Sequence, residues 1–276
     1  MRRFLPAFMG AVAIAGVAGG GIAGERLPIF DTHVHYSQGA WDAFSPRKAL
    51  DALEAAGVER ALVSSSPDHG TIKLHRAAPD RIVPILRPYR GEVRSSNWID
   101  DPKLIDYLEA RLKLGVHKGI GEFHLFDLPG STATPQVRQM AKLAAARSLF
   151  LHIHSGPGPV EAMFRIEPKS KILWAHAGFT TPPAEVGALV ERYRNLWVEM
   201  SFRAHSIMPG ERIDPAWRDL FLSHPDRFMV GTDTYVSDRW AVYIGLVDEH
   251  RAWLEQLPRE VAEKIAYRNA ERLFGK

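Results

Sequence analysis

Short apolar runs alternate along this chain with longer amphipathic ones, and that rhythm restricts the fold more than any other feature. The short runs are Leu27 to Val34, Arg60 to Ser64, Ile82 to Leu86, Val116 to Phe123, Phe150 to His154, Ile172 to His176, Leu196 to Met200 and Phe228 to Thr232. They have the length and composition of buried strands. Five of the longer stretches begin with a capping residue followed by proline: Ser45-Pro46 (helix to Ala56), Asp101-Pro102 (to Leu114), Thr134-Pro135 (to Ser148), Thr181-Pro182 (to Arg194) and Asp214-Pro215 (to Ser223). Proline suits the first helical position, where its missing N–H is not needed, and the residue before it can cap the exposed amides. Two further helices, Trp240 to Leu254 and Arg259 to Phe274, are predicted near the C-terminus.

Eight strands alternating with helices imply a parallel sheet. A doubly wound sheet would fit the same rhythm, but its ligand groups gather at one crevice. Here polar side chains end nearly every strand, and about 250 residues suit a closed barrel. The predicted fold is therefore α/β, a single-domain (β/α)8 TIM barrel over residues 25–276. Residues 1–24 read as a separate leader: Arg2 and Arg3, an uncharged apolar stretch from Phe4 to Ala23, and small residues at Gly21 and Ala23. That pattern predicts a signal peptide and export to a periplasm, with no stable membrane association after cleavage. The same stretch, residues 4–23, is long enough to serve instead as an inner-membrane anchor.

The 35 basic and 32 acidic residues are interspersed, which argues against a nucleic-acid surface. The chain has no cysteine, so thiolate nucleophiles and cysteine-ligated metals are excluded, and any metal must be held by histidine and carboxylate. His33 and His35, two apart at the end of the first strand, share one face. His154 ends the fifth strand, His176 the sixth and Asp233 the eighth. In a barrel these ends surround a single mouth, and together they predict a metal site. His152, on the same face as His154, should lie one layer deeper. Glu122 ends the fourth strand, either as a ligand or as a carboxylate behind the ligands or against the substrate.

These residues resemble the amidohydrolase superfamily, in particular its amidohydrolase 2 branch. The likeness rests on Asp31-Thr32-His33-Val34-His35, on His154, His176 and Asp233, and on the closing Asn269-Ala270-Glu271-Arg272-Leu273-Phe274. It spans nearly all of residues 25–276. The resemblance implies that His33, His35, His154 and Asp233 ligate a divalent metal. It implies that His176 binds a second ion or acts beside the first, and that Asp233 takes a proton from the attacking water. Many members carry a carboxylated lysine on the fourth strand, and no Lys stands at that strand end here. Gly121-Glu122 is instead similar to TatD-type nucleases, in which such a Glu bridges two metals. One or two ions are therefore expected, with Zn the leading choice and Mn, Fe or Co compatible with the same donors.

The implied function is hydrolysis of a small-molecule ester, lactone, amide or phosphoester by metal-activated water. The alternatives are a metal-dependent non-oxidative decarboxylase of a carboxylated aromatic or diene, from the same branch, and a non-catalytic periplasmic binding protein. Arg87, Tyr89 and Arg90 after the third strand, and Arg203 after the seventh, are candidates for binding an anionic substrate, since guanidinium pairs bidentately with carboxylate or phosphate. Trp41 and Trp98 are candidates for the pocket wall. The substrate and oligomeric state are not legible.

Overall fold

The computed structural model describes residues 26–126 and 130–275, so the leader expected over residues 1–24 lies outside the described residues. Eight parallel strands follow one another in sequence order: β1 (Ile29–Val34), β2 (Val58–Val63), β3 (Ile82–Leu86), β4 (Gly119–His124), β5 (Phe150–His154), β6 (Lys171–Trp174), β7 (Leu196–Glu199) and β8 (Phe228–Met229). The sheet curls until the chain beyond β8 meets β1. Thr32 N donates to Val230 O at 3.0 Å and Asp233 N to His33 O at 2.6 Å. The architecture is the predicted TIM barrel. Among the described residues no helix is long and apolar enough to cross a membrane.

Two apolar layers hold the barrel. The larger lies between strands and helices and contains Trp98, Trp217, Trp240 and Trp253. A smaller one fills the barrel floor with Phe30, Leu62, Ile85, Phe150, Leu173 and Met229, and Phe274 of the last helix plugs it from below. The floor thus consumes the apolar residues at the N-terminal ends of the strands. The upper half is left to histidines and carboxylates.

Three helix starts form as their signals predict. Ser45 accepts from Lys48 N, Thr134 from Val137 N, and Asp214 from both Ala216 N and Trp217 N. Two are displaced. The second predicted helix begins at Leu104 rather than Pro102, with Asp101 accepting from Lys103 N. The helix expected from Pro182 begins at Pro183, and Thr181 bonds back to Gly178 O instead of capping it. Two helices of more than five residues escaped the sequence reading, His69–Ala77 and Pro157–Ile166, besides the short Ala204–Ile207 and most of Ser237–Ala241. The second opens Pro157-Gly158-Pro159, which reads as loop, yet all three sit in the first turn, where no helical N–H is required. Trp98 lies in the core and donates to His124 O, and Trp41 packs against Tyr36, so neither lines the mouth.

Candidate metal centre

Strand pairing alone would send Asp31, His33 and His35 to one face. The register of β1 against β2 shifts between Asp31 and Val34, and the outcome is a division of labour. Asp31 turns to the helix layer and the closing seam. It accepts from Tyr243 Oη at 2.7 Å, Thr232 Oγ1 at 2.6 Å and Thr232 N at 3.0 Å. His33 and His35 enter the barrel, where both are buried and their Nε2 atoms stand 3.1 Å apart.

Each ring is held from behind. His35 Nδ1 lies 2.6 Å from Ser64 O, a carbonyl that can only accept. The proton therefore sits on Nδ1, and Nε2 offers a lone pair to the cavity. His33 Nδ1 lies 2.9 Å from Oε1 of Glu199, which fixes the same tautomer. His176 Nδ1 lies 2.7 Å from Ser201 Oγ. All three rings point Nε2 at one spot. His176 is not on its strand, as the sequence suggested: β6 stops at Trp174, and His176 sits in a tight turn at φ 59°. Asp233 likewise lies four residues beyond β8, at φ 53°. Bulky residues in the left-handed region cluster where a site, not the chain, dictates the conformation.

Two carboxylates complete the ring. Asp233 Oδ1 is 3.2 Å from His35 Nε2 and 3.6 Å from His33 Nε2. Glu122 divides its oxygens. Oε2 is 3.1 Å from His35 Nε2, while Oε1 is 2.6 Å from His154 Nδ1 and 3.5 Å from His176 Nε2. His33, His35, Glu122, His154, His176 and Asp233 are thus brought together. His152 lies deeper, its ring centroid 4.5 Å from that of His33 and its Nε2 without a hydrogen-bond partner among the described residues.

The donors fit a divalent cation. His176 Nε2 and Asp233 Oδ1 are buried with no hydrogen-bond partner among the described residues, a costly arrangement unless a further group satisfies them. Three buried carboxylates, Glu122, Glu199 and Asp233, surround the histidines, and among the described residues one guanidinium, that of Arg87, bonds to a carboxylate of the three, at Glu122. Burial alone would lower His33, but Asp233, Glu199 and Glu122 pull it well above the ordinary histidine range, a sign that the cluster draws in positive charge. Burial would raise Asp233, but His33 and His35 hold it at about 2, so it is ionised at neutral pH. The clusters His33–His35–Glu122, His33–His176–Asp233 and Glu122–His154–His176 are each compatible with a divalent metal site.

Glu199 was missed by sequence reasoning. It is fully buried on β7, accepts from His176 N at 2.8 Å and Ser201 N at 2.7 Å, and is held far below the ordinary carboxylate range: burial opposes this, and His33 and His176 outweigh it. One signal could have found it, an ionisable residue at the end of an apolar strand. Gly231 is explained by it. A Cβ there would lie 2.4 Å from Glu199 Oε2 and 2.8 Å from His33 Cβ.

The sequence-predicted anion binders separate. Arg87 spends Nε on Glu122 O at 3.1 Å and Nη2 on Glu122 Oε2 at 2.7 Å, so it steadies Glu122 more than it faces a ligand. Tyr89 donates to or accepts from His124 Nδ1 at 2.9 Å, and His124 in turn stacks on His154. Arg90 is tied to Asp101 at 2.6 Å but lines the cavity together with Arg94. Arg203 lies elsewhere: it is buried, donates to Thr181 O and packs over Trp217, outside the cavity wall. The cavity above the cluster measures about 870 Å³, room for a small organic substrate.

His250 sits just beneath. Its Nε2 lies 2.7 Å from Gly231 O, and Trp253 Nε1–H points at its Nδ1 from 3.3 Å. Nδ1 must therefore accept, and the ring is neutral. Burial pushes its pKa down to about 4. The unfolded chain, with an ordinary value near 6.5, binds this proton more readily. His250 thus adds nothing to the pH dependence above about pH 6.5, and stability falls as pH drops from there toward about 4. His250→Gln is expected to flatten this slope in urea titrations at pH 7 and pH 5, whereas an unchanged slope would assign it elsewhere.

A model of the amidohydrolase family matches residues 30–276. No curated protein matches the chain. Among solved structures, a protein from Pseudomonas putida assigned as a 2-pyrone-4,6-dicarboxylic acid hydrolase superposes with a TM-score of 0.61 at 18% identity, over 90% of this chain and 98% of that one. One from Acinetobacter baumannii with the same assignment, holding citric acid, gives 0.60 at 14% identity over 90% and 99%. A TatD homolog from Escherichia coli K12 gives 0.61 at 14% identity over 91% and 100%. At these identities the likeness establishes the fold.

Proposed function

The chain belongs to the amidohydrolase family, and from that premise we propose that it is a metal-dependent hydrolase of a small-molecule ester, lactone, amide or phosphoester. The observation that carries the reading is the division of Glu122, one oxygen toward His33 and His35, the other toward His154 and His176. His33, His35, Glu122 and Asp233 would hold one ion, and Glu122, His154 and His176 a second. A divalent ion there, Zn first among the choices, supplies a nucleophile from water at neutral pH and Lewis acidity toward a carbonyl or phosphoryl oxygen.

The chain's own residues do the rest. Asp233, ionised and with Oδ1 unpartnered among the described residues, takes the proton of the attacking water. Its backbone is clamped by Arg239, which donates to Asp233 O at 2.7 Å and Thr232 O at 2.6 Å and so fixes the turn that carries the carboxylate. In a site that holds a single ion, His176, 3.9 Å from Asp233 Oδ2, would instead orient the substrate carbonyl or pass that proton on. Arg90 and Tyr89 border the cavity where an anionic substituent would lie. We also propose export, on the pattern of residues 1–24.

Metal analysis of protein purified without chelator, joined to a panel of lactones, esters, phosphoesters and carboxylated aromatics, tests this. About two ions per chain and metal-restored cleavage of a lactone or ester are expected. One ion, unaltered by Glu122→Gln, would remove the bridge, and carbon dioxide release from a carboxylated aromatic would replace hydrolysis with decarboxylation. No turnover of any panel member after reloading would return the chain to a binding role.

A further inference from the structure

The rim of the mouth carries three aromatic side chains that the metal centre does not require. Phe179 follows β6, Phe202 follows β7 and Tyr235 follows Asp233, and all three line the cavity. They are 41%, 42% and 55% exposed, so burial does not explain them. They are continuous, with ring centroids 5.8 Å apart from Phe179 to Phe202 and 6.2 Å from Phe202 to Tyr235.

The backbone beneath them is a second, independent observation. Phe179 stands at φ 58° and Phe202 at φ 61°, a region that bulky side chains avoid and glycine fills without strain. A chain selected only to fold would not place two exposed phenylalanines there, and residues held in such conformations gather at ligand clamps. The shelf is also rigid. The Arg239 guanidinium, fixed by its two backbone carbonyls, stacks 4.1 Å from the Phe202 centroid. Phe179 packs against the His176 ring at 4.2 Å and the His154 ring at 5.0 Å, which ties the shelf to the metal cluster. Other parts of the cavity wall are cationic, with Arg90 and Arg94.

We propose that Phe179, Phe202 and Tyr235 form a stacking shelf for a flat, aromatic or conjugated substrate whose anionic substituent meets Arg90 and Arg94. The shelf sets specificity, and it rests on the hydrolase reading only for which bond is broken. Stacking on a fixed ring strengthens binding by about tenfold.

Binding of 2-naphthoate and butanoate to the metal-loaded full chain, by calorimetry, tests the shelf without turnover. Wild type is expected to bind 2-naphthoate about tenfold more tightly than butanoate. Phe202→Gly should weaken 2-naphthoate about 5- to 20-fold, hold butanoate within about twofold, and keep Tm within about 2 °C, because glycine relieves the backbone. Phe202→Tyr should restore the affinity. Equal affinity for the two probes in wild type, or a joint loss of both with a clear fall in Tm, would overturn the shelf. The two readings fail separately. Phe202-dependent naphthoate binding without any ester or lactone cleavage keeps the shelf and loses the hydrolase. Cleavage that ignores an aryl group keeps the hydrolase and loses the shelf.

Discussion

Asp233→Asn is expected to lower turnover by about 10²- to 10⁴-fold, the range typical of losing a positioned general base. The substitution keeps the shape and one acceptor oxygen of a residue that is 5% exposed. It removes the charge that lets Asp233, held at about 2 by His33 and His35, accept a proton. The backbone clamp of Arg239 uses main-chain carbonyls and survives the change. Tm is therefore expected to stay close to wild type, and metal content should fall little, because His33, His35 and Glu122 remain. Activity within tenfold of wild type at unchanged metal content would take the proton-accepting role away from Asp233.

Glu199→Ala should be the most damaging single change to the structure, although Glu199 touches no substrate. Its carboxylate accepts from His33 Nδ1, His176 N, Ser201 N and Ser201 Oγ, all in a site closed to water. Truncation leaves these donors buried without partners, and breaking such a charged network costs about 3–5 kcal/mol. His33 would also lose the bond that fixes its tautomer, so its Nε2 lone pair is no longer assured. Partners of this kind are worth about 10- to 100-fold in metal affinity. Denaturant unfolding and chelator competition read the two effects separately. Glu199→Gln, which keeps the volume but sets an amide N–H against the donors, should recover much of the stability and little of the affinity. If chelator competition shows wild-type affinity in both variants, Glu199 does not orient His33.

Much of this site was legible in the sequence because barrel geometry converts strand ends into neighbours. His33, His35, Glu122, His154, His176 and Asp233 are scattered over 201 positions, yet each follows an apolar run, and eight such runs closed in a ring leave their ends at one mouth. The helices of Pro46–Ala55 and Pro215–Ser223 were legible for a local reason: cap, proline and apolar period all lie within one segment. The helix Pro157–Ile166 was not, because a Pro-Gly-Pro opening has the same local appearance in a loop and in a first turn.

What the sequence by itself determined is the set of donor chemistries and the strand ends that carry them, since both depend on residue type and local periodicity. Only the tertiary structure decided how those groups are used. Arg87 is committed to Glu122, Arg203 packs over Trp217, and Glu199 holds His33 and His176 from behind. His176, Phe179, Phe202 and Asp233 turn into the mouth from left-handed backbone. The reason is physical. A hydrogen bond between β7 and β1, separated by 166 residues, and a torsion forced by the packing around it belong to the closed barrel, and no single segment carries their signal.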